Sequence, residues 1–129
     1  MPRHAIEVPS SHEELGAYSH IVDDGRGTLY VSGQIPVDEA GSFIGSDDIR
    51  VQSRQTLENL RAALDAAGVT TNDVVKLTTY LVDADDISGL ASVRSEFFEP
   101  PFPASSVVIV AALLDARWRV EIDAVAVRG

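Results

Sequence analysis

Arg119, Glu121 and Asp123 recur at every second position of the segment "RVEIDAVAV". On a β-strand that spacing gathers three charges on one face and leaves Val120, Ile122, Ala124 and Ala126 on the other. The charged row is either a solvated sheet face or part of a subunit interface, and both readings stay open on pattern alone. Trp118 stands between Arg117 and Arg119, where an indole can stack on a planar ligand or serve as packing at a strand entrance. His4, His12 and His20 lack the close spacing and accompanying carboxylates of a metal site, so no metal is expected. Ser32, Ser105 and Ser106 lack the strand–turn–helix elbow of a serine nucleophile, and no phosphate-cradling or dinucleotide glycine pattern occurs.

The chain that positions these groups has 129 residues, 45% of them hydrophobic, which suits one domain, residues 1–129, with its own core. Cysteine is absent, which removes disulfides, thiolate metal sites and a thiol nucleophile. A formal net charge of −10 and a pI near 4.5 make nucleic acid an improbable partner, because phosphate backbones are held by Lys/Arg-rich patches. There is no apolar run of about 18 residues and no basic-then-apolar leader at Met1, so no membrane span and a cytoplasmic location are expected.

Periodicity predicts the order strand, strand, strand, helix, strand, helix, strand, strand. An early pair of strands is expected near Arg3 to Val8 and Ala17 to Val22. "TLYVSGQI", Thr28 to Ile35, sets Leu29, Val31 and Ile35 against Thr28, Ser32 and Gln34, with Gly33 marking a bulge or a close backbone approach. A helix follows from Ile49 to Ala67, with Leu57, Leu60, Leu64 and Ala67 at helical intervals, Asp47 or Asp48 as N-cap and Gly68 just beyond its end. Asp73 to Asp83 returns to period two, with Val75, Leu77 and Leu81 expected in the core. Asp85 or Asp86 is expected to cap a second helix carrying Leu90, Val93 and Phe97, which "EPPFP" must end. Ser105 to Val110 and Arg119 to Val127 complete an α+β layer, with both helices on one face of a mixed sheet. Val107, Ile109 and Tyr80 are expected on the uncovered face beside Glu121, an apolar content that favours an oligomer.

Several segments together resemble the RidA/YjgF family, also known as L-PSP endoribonucleases or reactive-intermediate deaminases. They are "GAYSH" at 16–20, "LYVSGQIPVD" at 29–38, "QTLENLRAALDAAG" at 55–68, "DVVKLTTYLVD" at 73–83, "EFFEPPFPASS" at 96–106 and "VEIDAVAV" at 120–127. The resemblance implies a chorismate-mutase-like fold that forms a barrel-centred homotrimer, with a small-molecule cleft at each subunit interface. It further implies cofactor-free hydrolysis of imines or enamines to a keto acid and ammonia.

By the same resemblance Tyr18 and Glu121 are the catalytic candidates, and Ser32, Gly33, Ala91, Ser105 and Val107 line the ligand site. A carboxylate at a partly desolvated interface has a raised pKa and can position a hydrolytic water, a role that fits Glu121. The chain departs from the deaminases where their carboxylate-holding arginine follows "PA" in "PARS": here the sequence is "PASS", and Ser105 stands in that place. Ala91 likewise replaces an asparagine, and Val107 a residue that is often cysteine. Serine cannot supply the charge or the two parallel donors of a guanidinium, so hydrolysis of 2-iminopropionate is expected to be slower than in an arginine-containing relative. Arg94, Arg117 and Arg119 are the candidate replacements. A non-catalytic binding or regulatory protein is the first alternative, which the missing arginine and asparagine favour. A ribonuclease is the second, which the acidic balance and the lack of a catalytic histidine pair disfavour.

Overall fold

Residues 2–129 are described by the computed structural model, and Met1, where a leader was sought, lies outside them. The strands are β1 (His4–Ala5), β2 (Ile21–Asp23), β3 (Thr28–Gln34), β4 (Val74–Leu81), β5 (Ala104–Ile109) and β6 (Val120–Val127), and the helices are α1 (Ile49–Ala66) and α2 (Ile87–Arg94). They form one mixed sheet in the order β1-β2-β3-β6-β4-β5. Every neighbour is antiparallel except β4 and β5, which run parallel because α2 carries the chain back between them.

The element order and the α+β class agree with the expectation, while the ends are shorter: the first two strands keep only His4–Ala5 and Ile21–Asp23. Helix α1 begins at Asp48, whose carboxylate accepts the N–H groups of Arg50 at 2.9 Å and Val51 at 3.4 Å. It ends where Gly68, at φ 76°, lets its own N–H reach Asp65 O (3.0 Å) and that of Val69 reach Leu64 O (3.1 Å). Its stripe of Leu57, Leu60, Ala63 and Leu64 is fully buried against the sheet.

Three expectations are corrected by local register. A shift between Val74 and Lys76 turns Val74 into the core and leaves Val75 47% exposed, with Leu77 and Leu81 buried as expected. A second shift between Val31 and Gln34, at Ser32 and Gly33, buries Gln34 with Leu29 and Val31 instead of leaving it on the polar face. Val107 and Ile109 pair with Thr79 and Leu81, on the helix side of the sheet, and it is Val108 that lies opposite Tyr80.

Cap and charge assignments shift too. Asp86 stands at the N-cap position of α2 as expected but makes no side-chain cap hydrogen bond, while Asp83 caps the preceding turn, accepting the N–H of Asp85 at 2.9 Å. Asp86 instead receives Arg119, through Nε at 2.8 Å and Nη2 at 3.2 Å, while Arg119 Nη1 reaches Asp47 at 2.7 Å. Arg119 therefore precedes β6 and ties together the N-terminal approaches of both helices, leaving Glu121 and Asp123 as the charges on the uncovered face. Gln52 completes this junction: its Oε1 accepts from Arg119 N at 2.7 Å, and its Nε2 donates to Ser46 O and Arg117 O at 2.7 and 3.0 Å. Trp118 packs with Ile35 and Val37 in a small second cluster, the packing role weighed for it.

Breaking this junction from one side leaves Asp86, a carboxylate with 8% of its side chain exposed, without its counter-ion. Removing one partner of a buried ion pair costs about 3–5 kcal/mol, whereas replacing both by apolar groups is close to neutral. Arg119→Met should therefore lower the urea-unfolding free energy by about 3 kcal/mol, and Arg119→Met with Asp86→Leu should recover most of the loss. Equal stability of wild type and single variant in urea melts would show the pair to be without structural weight.

Candidate functional site

The shift in β3 does more than bury Gln34. It brings the backbone of Gly33 against the side chain of Glu121, so closely that a Cβ at position 33 would sit 2.8 Å from Glu121 Cδ and closer still to Oε2. Only glycine leaves the carboxylate this space. Around it, Tyr18, Ser32, Gly33, Ile35, Trp118 and Glu121 line a hollow of about 250 Å³, with Leu15 and Leu114 at its rim.

Hydrogen bonds fix the polar groups. Ser32 Oγ donates to Ser19 O at 2.5 Å and Ser32 N to His20 O at 2.9 Å, which ties β3 to the segment bearing Tyr18. Behind that segment, buried His20 points Nε2 at His12 O (2.7 Å), so this nitrogen carries the proton and Nδ1 is free to accept from Gln34 Nε2 at 3.5 Å. His12 packs edge-on against His20, and burial first and His20 second hold its pKa below the usual 6.5. Among the described residues no group of three or more His, Asp or Glu is placed to hold a metal, and no helix is long and apolar enough to cross a membrane.

The electrostatics of the hollow centre on Glu121. Burial pushes its carboxyl above the usual 4.5, and the negative charge of Asp123 on the same face adds to the effect. Asp123 itself accepts the Tyr80 hydroxyl at 3.0 Å, a bond that raises the Tyr80 pKa. A carboxyl of this kind can hold a proton nearer neutrality and exchange it with a water beside Tyr18 and Ser32.

Of the residues singled out in the sequence, Tyr18, Ser32, Gly33 and Glu121 converge here. Ala91 and Ser105 converge elsewhere, in a hollow of about 310 Å³ between α2 and β5 that Leu77, Arg94, Phe98 and Phe102 also line. Ser105 pairs with Leu77 on the helix side of the sheet, while Glu121 pairs with Tyr80 on the open side, so one chain holds the two groups on opposite faces. Val107 lies on β5 beyond the second hollow and lines neither. The candidate cations also separate. Arg117 is bound to Asp115 through Nε and Nη2 and Arg119 to Asp86 and Asp47, whereas Arg94 Nη1 donates to Ser105 Oγ at 3.2 Å. Leu15, Leu114 and Phe98 gave no signal as site residues, since an isolated apolar side chain outside a periodic run carries none.

The sequence and the fold both have counterparts among known proteins. The Endoribonuclease L-PSP family model matches residues 9–128. The 2-iminobutanoate/2-iminopropanoate deaminase of Salmonella typhimurium is 38% identical over 126 residues, covering 95% of this chain and 96% of that protein. A RutC family protein of Pyrococcus horikoshii is 36% identical over 124 residues, covering 96% of this chain and 97% of its own. The crystal structure of E. coli TdcF with bound serine superposes with a TM-score of 0.89 at 34% identity, covering 98% of this chain and 99% of that one.

The raised pKa of Glu121 has a definite sign in stability. The native state holds this proton more tightly than the unfolded chain, so the contribution is fully present below the ordinary 4.5 and is lost as pH rises through the folded value. The stability of wild type relative to Glu121→Gln should therefore fall as pH rises above the ordinary 4.5, as read from urea midpoints at each pH. A difference that stays constant over that rise would show the carboxyl to be ordinary.

Proposed function

Since the chain belongs to the RidA, or Endoribonuclease L-PSP, family, we propose that it hydrolyses small imines or enamines, without a cofactor, in clefts that form where subunits of a homotrimer meet. The observation that carries this reading is the Glu121 carboxyl, desolvated and pressed against Gly33, in one hollow with Ser32 and Tyr18. In the proposed step the carboxylate form of Glu121 takes a proton from a water as that water attacks the imine carbon. The protonated form returns that proton to nitrogen, giving a carbinolamine; Glu121 then relays the carbinolamine hydroxyl proton to the same nitrogen as the C–N bond breaks, which gives a carbonyl and ammonia. Tyr18 and Ser32 border the space in which the water and the nitrogen meet.

The division of the site supports assembly. Ala91, Ser105 and Val107 lie on the helix side of one chain and Glu121 on the open side, so a ligand touching both groups needs two copies. All six residues of β5 are exposed in the single chain, Val107, Val108 and Ile109 among them, which supports a partner at this edge. Light scattering at micromolar concentration should give three times 13.8 kDa. A stable monomer would remove the composite cleft.

Turnover is tested by generating 2-iminopropionate with an amino-acid oxidase and following its decay. The protein should accelerate decay, more slowly than a relative with arginine at the position of Ser105. Glu121→Gln should lose about 100-fold, the usual worth of a general acid–base. Imine decay that is the same with and without the protein would favour the second reading, a non-catalytic ligand-binding protein, which Ser105 and Ala91 already support.

A further inference from the structure

Arg94 is the last residue of α2 and one wall of the hollow between α2 and β5. Arg117 and Arg119, the other arginines near the sites, are each paired with aspartates within 3 Å. Arg94 has no carboxylate within the 4.0 Å reach of an ion pair among the described residues, and its recorded side-chain partner is the neutral hydroxyl of Ser105. Apart from Ser95 the other walls, Leu77, Ala91, Phe98, Phe102 and Pro103, are apolar. A positive charge without a counter-charge thus borders a mostly apolar space of about 310 Å³, a size that suits a metabolite rather than a polymer.

The hydrogen-bond count points the same way. A guanidinium has five donors in a plane, and one bond to Ser105 leaves enough for a two-pronged grip on a carboxylate. Ser105 accepts from Arg94, so its own O–H is free to donate to the same carboxylate. We infer that Arg94 supplies from α2 the positive charge that position 105 lacks, and that with Ser105 it selects small monocarboxylates whose apolar tails rest on Phe98 and Phe102. The inference rests on the interfacial cleft proposed above, in which this anchor would face the partner subunit's acid–base carboxyl. A guanidinium reaching in from a helix approaches along a different line from one on the strand, so carboxylate selection is kept while the orientation of the reacting atoms changes.

The test is titration of the whole protein with 2-oxobutanoate and with its neutral analogue 2-oxobutanamide, followed by backbone amide NMR shifts, with light scattering on each variant. Wild type should prefer the carboxylate by about tenfold or more, the worth of one charge-assisted contact. Arg94→Ala should bring the two ligands within about twofold by weakening the carboxylate alone, and Arg94→Lys should restore part of the preference, because lysine returns the charge without the fork. A packing role for Arg94 would change both ligands alike and so would overturn the inference, as would an Arg94→Ala protein of unchanged mass that keeps the wild-type preference. Shifts at both Ser105 and Glu121 that persist in Arg94→Ala would remove the inference and leave the composite cleft. Arg94-dependent shifts confined to Ser105 and its neighbours would keep the anchor and remove the composite cleft. Absence of shifts in wild type with either ligand would overturn both.

Discussion

A helix with its side chains is about 10 Å across and strands lie about 4.8 Å apart, so two adjacent helices roof only about four strands. This sheet has six. The roof falls over the middle, where β3, β6 and β4 carry Leu29, Val31, Ile122, Ala124 and Leu77 at 4% exposure or less. What it leaves incompletely covered is the margin between α2 and β5 at one side, and what it leaves bare is the whole opposite face. Those are the two regions where the hollows form, so the site residues sit at the margins of the layer because its centre is consumed by packing.

β3 departs from regular pairing at Ser32 and Gly33, and the departure sets the surroundings of Glu121. The extra residue in the strand and the absent Cβ at Gly33 together let the Glu121 side chain pack directly on the β3 backbone. Partial loss of water around that carboxyl is then a result of strand geometry rather than of a deep cavity. On the far edge of the layer, Arg119, Gln52 and Asp86 lock β6 to the starts of both helices, which holds the strand bearing Glu121 in a fixed position along its axis.

Legibility in the sequence followed the strength of periodicity. α1 could be read to within a residue at its end because its apolar stripe, Asp48 and Gly68 agree. Strand faces were misread at Val75 and Gln34, since a register shift reverses inside and outside without altering composition. The fate of Arg119 was hidden because its aspartates are 33 and 72 residues away, beyond any local pattern. The family resemblance names the candidate site residues, but their separation onto two faces is not legible in the sequence, because that depends on the strand order. The link between Arg94 and Ser105 joins a helix end to the start of a strand across the proline segment, a distance periodicity cannot measure.

The position of β6 carries a consequence for how the molecule is made. It is the last strand in the chain, yet it lies at the middle of the sheet, between β3 and β4. A nascent chain can pair β1 to β3 and dock β4 with β5, but these two pieces share no ladder until residues 120–127 have left the ribosome. Until then each piece shows an open edge with apolar side chains, the condition under which translating chains meet chaperones or one another. Joining the two pieces therefore waits for β6, and loss of that strand would divide the sheet instead of trimming its border.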